Sequence, residues 1–208
     1  KKIIIEGVEK LNGINEIVPS DRIEAGTFAI AVSATGGRIK LENTNYDENK
    51  TLFKILEKTG SKISKSKKSI SIEKTNDEIH PVNIKTSPYP GFPTDLQAQI
   101  MTLMAISNGK SEIKENIFEN RFMHVQELVR MGANIKLDKD KALIRGIKNL
   151  NGANVMATDL RASASLIIAG LVAIGKTTIS RIYHLDRGFY NLECKLNNCG
   201  ASIKRINE

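Results

Sequence analysis

Two residues able to handle an anion, Asp159 and Arg161, stand at the mouth of the run MATDLRASASLIIAGLVAIG (Met156 to Gly175), which is otherwise almost wholly apolar. Taken alone, Asp159 needs no role beyond an N-cap that accepts from orphan backbone N–H groups, with Arg161 as its ion-pair neighbour. The pattern recurs, however. Asp21 opens DRIEAGTFAIAVSATGG and Asp95 opens DLQAQIMTLMAISNG, and the glycines Gly37, Gly109 and Gly175 follow their acids by 16, 14 and 16 residues. Arg121 and Arg187 keep the same register, each twelve residues after its glycine, Gly109 and Gly175, while Asn49 takes that place in the first unit. Arginines gathered near several helix N-termini make an anion cradle, because guanidinium forks match carboxylate or phosphate and the helix dipoles add to them. An aspartate among them can orient an alcohol, accept its proton or steady a developing positive charge.

The elements that must position these groups repeat as well. In the third unit Leu160, Ala164, Ile167, Ile168 and Leu171 follow helical spacing, while Ala162, Ala169 and Gly170 leave no strongly polar side, so the helix is central and covered all round. After each closing glycine comes a short alternating stretch (RIKLEN, KSEIKEN, KTTISRI) and then a second amphipathic segment (LFKILEKTG, VQELVRMG, YNLECKLNNCG) ending at Gly60, Gly132 or Gly200. Those glycines read as helix C-caps. A further strand is expected after each, at SKIS, ANIK and ASIK, with one more strand before the next unit. That last strand has an echo, since IEGVEKLNG (Ile5 to Gly13) matches IRGIKNLNG (Ile144 to Gly152). Residues 1–20 are therefore read as the end of a preceding repeat plus a crossover at Asn15 to Ser20. Residues 21–208 are read as one α/β domain of three repeats, the C-terminal part of something longer.

Composition narrows the class. A chain of 208 residues with 40% hydrophobic and 26% charged residues has enough apolar material for a substantial core. No apolar run approaches the length of a membrane span, and KKIIIEGVEK breaks into charge too soon for a signal peptide, so a soluble, cytoplasmic protein is expected. Cys194 and Cys199 have neither a CxxC nor a zinc spacing and are read as reduced thiols, with Cys199 on the apolar series Phe189, Leu192, Leu196 and hence buried. The net charge of +8 favours anionic ligands. Its densest lysine run, Lys62 to Lys74, alternates with Ile63, Ile70 and Ile72 as a solvated hairpin would and lacks aromatics to stack on bases.

Four ordered blocks, PGFPTDLQAQ, ENRFMHVQELVRMGA, VMATDLRASASLIIAGL and RIYHLDRG, resemble those of the enolpyruvyl transferases, in particular the UDP-N-acetylglucosamine 1-carboxyvinyltransferases of peptidoglycan precursor synthesis. The resemblance runs from about Asp21 to the end. It implies an inside-out α/β barrel domain of three β-α-β-α-β-β repeats. The active site would lie in a cleft against a second domain outside this chain, whose mobile loop supplies a cysteine as general acid. It further implies transfer of the enolpyruvyl group of phosphoenolpyruvate to the 3-hydroxyl of UDP-N-acetylglucosamine, with release of phosphate and without metal or other cofactor.

By motif matching, the resemblance puts Asp95 on that 3-hydroxyl as the candidate base, and Arg121, Arg161 and Arg187 around the phosphate and carboxylate of phosphoenolpyruvate with Asp159 beside them. Ile117 and Phe118 match positions next to the nucleotide, Asp21 a cleft-facing acid, and Thr94 a neighbour of Asp95. His124 and His184 are expected to brace the fold. Two alternatives have discriminating tests. A 3-phosphoshikimate enolpyruvyl transferase would bind shikimate 3-phosphate in place of the UDP-sugar, although TDLRASAS and IYHLDRG are not its blocks. A non-catalytic RNA-binding module would show nucleic-acid affinity with a steep salt dependence.

Overall fold

The computed structural model describes residues 2–75 and 78–206. Its first unit consists of α1 (Arg22–Thr35), β1 (Gly37–Glu42), α2 (Lys50–Lys58), β2 (Lys62–Lys65) and β3 (Ser69–Lys74). The second consists of β4 (Ile84–Lys85), α3 (Gln97–Ala105), β5 (Lys110–Lys114), α4 (His124–Arg130), β6 (Asn134–Asp138) and β7 (Lys141–Arg145). The third follows with β8 (Asn154–Met156), α5 (Leu160–Val172), β9 (Thr178–Ser180) and α6 (Leu192–Asn198). The glycines after α2, α4 and α6 all take positive φ, +100° at Gly60, +96° at Gly132 and +97° at Gly200, a turn that side-chain-bearing residues rarely make.

The helices α1, α3 and α5 pack against one another at the centre, and Ala29, Ile30, Ile100, Leu103, Met104, Ala164 and Leu166 are buried there. Covering a leucine or isoleucine completely contributes about 1.5–3 kcal/mol. Of the polar residues among them, Ser33 and Ser163 donate to carbonyls one turn back on their own helices, whereas Gln97 Nε2 and Gln99 Oε1 find no partner among the described residues. Between helices, Gln99 Nε2 donates to Thr27 Oγ1 (3.2 Å) and Thr102 Oγ1 to the Ser165 carbonyl (3.2 Å). Leu96, just before α3, lies against Gly26, near the start of α1. Since Asp95 meets Arg161 and Thr102 meets Ser165, α3 and α5 run parallel, and the Leu96–Gly26 and Gln99–Thr27 pairs align α1 with them. The residues opening the three helices therefore lie at one end.

The outer strands repeat the same ladder twice. In the first unit β3 lies between β1 and β2, antiparallel to both; in the second β7 lies between β5 and β6 in the same way, with β4 parallel to β5 at the edge. The lysine run is the β2–β3 hairpin, whose Ile70 and Ile72 are fully buried. The third unit departs from expectation. β8 pairs with β9 in parallel, matching β4 and β5, but ASIK (Ala201 to Lys204) is not a strand. Among the described residues no antiparallel strand occupies the place of β3 or β7, and without that central partner the segment has nothing to pair with. Residues 2–20 likewise form no helix or strand and are exposed.

The same gap corrects the reading of Cys199. The residues preceding the capping glycines of the first two units, Thr59 and Met131, are buried, because the His80 and Asn151 amides of the returning chain donate to their carbonyls. Cys199 receives no such cover and is exposed, lining a depression with Val32, Gly36, Leu196 and Ala201. Cys194 is also exposed, and both cysteines are free thiols.

The chain leaving β7 passes close to the end of α3. Gly146 N donates to the Gly109 carbonyl (2.8 Å), and a Cβ at Gly146 would stand 1.7 Å from the Ser107 carbonyl oxygen. Its echo Gly7 has nothing within 4 Å. Gly146→Ala is expected to cost at least about 1–3 kcal/mol through forced backbone displacement, whereas Gly7→Ala should stay within about 0.5 kcal/mol of the parent. Urea denaturation of both variants checks the contrast, and equal effects would contradict it.

Candidate functional site

The three opening aspartates differ. Asp21 Oδ1 accepts from Ile23 N (2.7 Å) and Glu24 N (3.2 Å), and Asp159 Oδ1 from Arg161 N (2.8 Å) and Ala162 N (3.0 Å), so both are true N-caps. Asp95 caps nothing. It sits in a short 3-10 turn (Thr94–Leu96) ahead of α3, and its Oδ1 instead accepts from Nε (2.8 Å) and NH2 (2.5 Å) of Arg161. The pair is partly open, with the Arg161 and Asp95 side chains 33% and 31% exposed. The structure thus joins the starts of α3 and α5 through one carboxylate and one guanidinium.

The other predicted groups gather around this pair to different degrees. Arg121, half-buried, lies over the Phe118 ring with its guanidinium carbon 4.5 Å from the centroid and is in no ion pair among the described residues. Arg187 is exposed and likewise unpaired among them, at the end of a 3-10 segment (Ile182–Arg187) whose next residue, Gly188, packs on Leu160 at the start of α5. Two of the three arginines therefore keep their forks free for an anion. Ile117 is half-buried and Phe118 exposed, on the turn after β5. Thr94 donates to Glu115 rather than facing outward alone. Asn49, which holds the arginine place in the first unit, is buried and donates to the Arg22 carbonyl (2.6 Å), tying α2 to the start of α1. Asp21 is exposed at that start, and among the described residues its side chain makes only its capping bonds.

Sequence reasoning missed Glu115 and Arg22. Glu115 is buried and receives Thr86, Thr94 and two backbone amides, as described below. Its signal was phase: Ser111, Ile113 and Glu115 alternate onto the covered side of β5, where a carboxylate requires a reason. Arg22 lies over the Tyr89 ring (5.6 Å), bringing a further cation to the same end; nothing in its spacing set it apart from other surface arginines. His184 lies tilted against Tyr183 with ring centroids 4.3 Å apart, and its ring nitrogens have no partner among the described residues. No cluster of His, Cys, Asp or Glu among the described residues could hold a metal, and none of their helices is long and apolar enough to cross a membrane.

The electrostatics of the α5 start follow from burial and donors. Burial pushes the Asp159 carboxyl up, but the amides of Ala162 and Arg161, the Thr158 hydroxyl and the neighbouring His124 together outweigh it and hold the group below its ordinary value of 3.8. His124, at the start of α4, is driven down to about 4, chiefly by burial, against the attraction of Asp159 and with the help of Arg121. Near neutral pH an uncharged imidazole therefore stands beside an ionised aspartate.

A profile of the family described as EPSP synthase (3-phosphoshikimate 1-carboxyvinyltransferase) matches residues 1–196. This chain belongs to that family. Within it, the chain is 54% identical over 205 residues to the UDP-N-acetylglucosamine 1-carboxyvinyltransferase of Afipia carboxidovorans, covering 99% of this chain and 48% of the relative. It is 57% identical over 206 residues to the protein of the same name from Bartonella henselae, covering 98% of this chain and 48% of that one. The chain thus spans about half the length of the curated relatives it matches. Among solved structures it resembles the enolpyruvyl transferase NikO from Streptomyces tendae, with a TM-score of 0.79 and 26% identity over 88% of this chain and 43% of that one. EPSP synthase from Acinetobacter baumannii shares the fold at a TM-score of 0.62 and 14% identity, over 78% of this chain and 39% of that one.

The buried histidine gives a pH test. Its folded value lies below the unfolded value of about 6.5, so the unfolded chain binds more protons between the two, and stability should be full above about pH 6.5 and fall as pH drops toward 4. The loss is on the order of 3 kcal/mol. Asp159 acts in a separate window, since a depressed carboxylate loses its contribution only as pH falls below about 3.8. His124→Gln should therefore flatten the dependence of the urea midpoint between pH 7 and 4.5. An unchanged slope in the variant would contradict the assignment.

Proposed function

We propose that this chain forms one wall of an active site that transfers the enolpyruvyl group of phosphoenolpyruvate to the 3-hydroxyl of UDP-N-acetylglucosamine, releasing phosphate. The reaction would serve peptidoglycan precursor synthesis, with the cytoplasm as its compartment. The observation that carries the reading is identity above 50% across nearly the whole chain with relatives that bear this activity in their names. The blocks around Asp95, Arg121, Arg161 and Arg187 support it, as does the convergence of the α3 and α5 starts on one carboxylate–guanidinium pair. Residues 21–208 would act as one domain, with a second domain closing the cleft.

The chemistry suits these side chains. Phosphoenolpyruvate carries a phosphate and a carboxylate, which the open forks of Arg121 and Arg187 and the prongs of Arg161 would hold at a fixed separation. Asp95 would orient the sugar 3-hydroxyl and accept its proton as the oxygen bonds to C2. An acid outside this chain would protonate C3, giving a tetrahedral adduct. Phosphate then leaves C2 while a proton leaves C3 for the conjugate base of that acid, which restores the double bond, and positive charge passing through C2 would be steadied by Asp95 or Asp159. Ile117 and Phe118 would flank the nucleotide.

The complete protein should release phosphate from phosphoenolpyruvate only when UDP-N-acetylglucosamine is present, and the 208-residue chain alone should bind weakly and fail to turn over. Release driven by shikimate 3-phosphate, or salt-sensitive RNA binding in place of either substrate, would overturn the reading. Asp95→Asn should leave melting nearly native, because Asp95 caps no helix and its ion pair is about one-third open, while turnover falls by about a hundredfold or more. Arg161→Lys should be nearly as damaging to turnover as Arg161→Ala, since an ammonium cannot reproduce a planar two-pronged contact. A lysine variant with parental kinetics would return Arg161 to a purely structural role.

A further inference from the structure

We propose that Glu115 is a positioning residue that ties the Asp95 turn to the Ile117–Arg121 turn, so that the group facing the acceptor alcohol and the groups facing the nucleotide and the anion move as one unit. The proposal rests on the transferase reading above. Glu115 follows the last residue of β5 and is only 4% exposed. Its two oxygens are divided between the two turns. Oε1 accepts from Ile117 N (2.9 Å), Phe118 N (3.3 Å) and Thr86 Oγ1 (2.8 Å). Oε2 accepts from Thr94 Oγ1 (2.9 Å), the residue before Asp95.

Thr86 fixes the β5 side of the link, since its Oγ1 also accepts from Asn116 N (2.8 Å) and its own amide donates to the Lys114 carbonyl (3.0 Å). No ion pair among the described residues involves Glu115, so its charge is met by hydroxyl and amide donors alone. A buried carboxylate that only closed its own turn would be satisfied through one oxygen. The second oxygen, spent on Thr94 across 21 residues of chain, couples that turn to the residue beside Asp95. Asp95 is in turn held by Arg161, so the network runs from Phe118 to the start of α5 without a break.

Two substitutions cut the link at different points. Glu115→Met, close in length, withdraws both acceptors, and Thr94→Val deletes the Oε2 arm alone at nearly constant shape. In the complete protein each is expected to lower kcat about tenfold to a hundredfold, the scale of an ångström-sized misplacement near reacting groups. A merely structural role would not make that loss depend on Asp95. In an Asp95→Asn background the further loss should vanish, because the arm acts through that carboxylate. Parental kcat in both variants, or losses that multiply with that of Asp95→Asn, would overturn the proposal.

Failure of the transferase reading shows separately, as an unsubstituted protein that releases no phosphate. The link itself is then read by amide exchange in the chain alone. Glu115→Ala should speed exchange at Ile117, Phe118 and Leu96, and Thr94→Val at Leu96 only. Faster exchange confined to Ile117 and Phe118 in Glu115→Ala would overturn the clamp even if the transferase activity holds.

Discussion

Everything in this molecule depends on three parallel helices that have no polar face. α1, α3 and α5 bury one another so completely that most of their side chains are small, apolar or hydrogen-bonded to their own backbone, with Gln99 reaching across to Thr27. Parallel packing has an electrostatic cost, because it brings three partially positive N-termini to the same end. The sequence offsets that with aspartates. At α1 and α5 they are spent as caps, while at α3 the carboxylate is left free of backbone duties. An end where helix N-termini, aspartates and arginines meet is the natural consequence of the core, before any substrate is considered.

The repeated ladders explain how that end is held open. Each outer sheet of the first two units carries a second helix whose start faces the same way as its first. Arg121 therefore sits before α4 and Arg187 before α6, at equivalent stations. The departures from symmetry are as informative as the repeats. Asn49 replaces an arginine and turns inward to hold α1, so only part of the ring presents cations, as suits a ligand with no threefold symmetry of its own.

What could be read in the sequence was whatever obeyed a period. The helix starts, the capping glycines and the register of Arg121 and Arg187 follow from spacing, and the structure brings the starts of α1, α3 and α5 to one end as that spacing requires. Glu115 escaped because a single buried charge has no period; only its phase within β5 marked it. Asp95 looked like its two counterparts because an N-cap and a residue one position earlier share the same letters, and the 3-10 turn that holds Asp95 ahead of α3 is invisible to composition. Cys199 and ASIK were misplaced because pairing of a strand and cover of a helix end are supplied from elsewhere in the chain, and local pattern carries no information about whether that partner is present.

The ion pair between Asp95 and Arg161 means that this site is never simply empty. Under the transferase reading proposed above, an anion that took Arg161 through these same two nitrogens would have to release Asp95, so the two events would be a single exchange. Two ligands that divide such a pair are linked by thermodynamic reciprocity: whatever the anion does for the alcohol's hold on Asp95, the alcohol does in equal measure for the anion's hold on Arg161. On that reading, one contact across two helix ends would couple two substrates that need not touch.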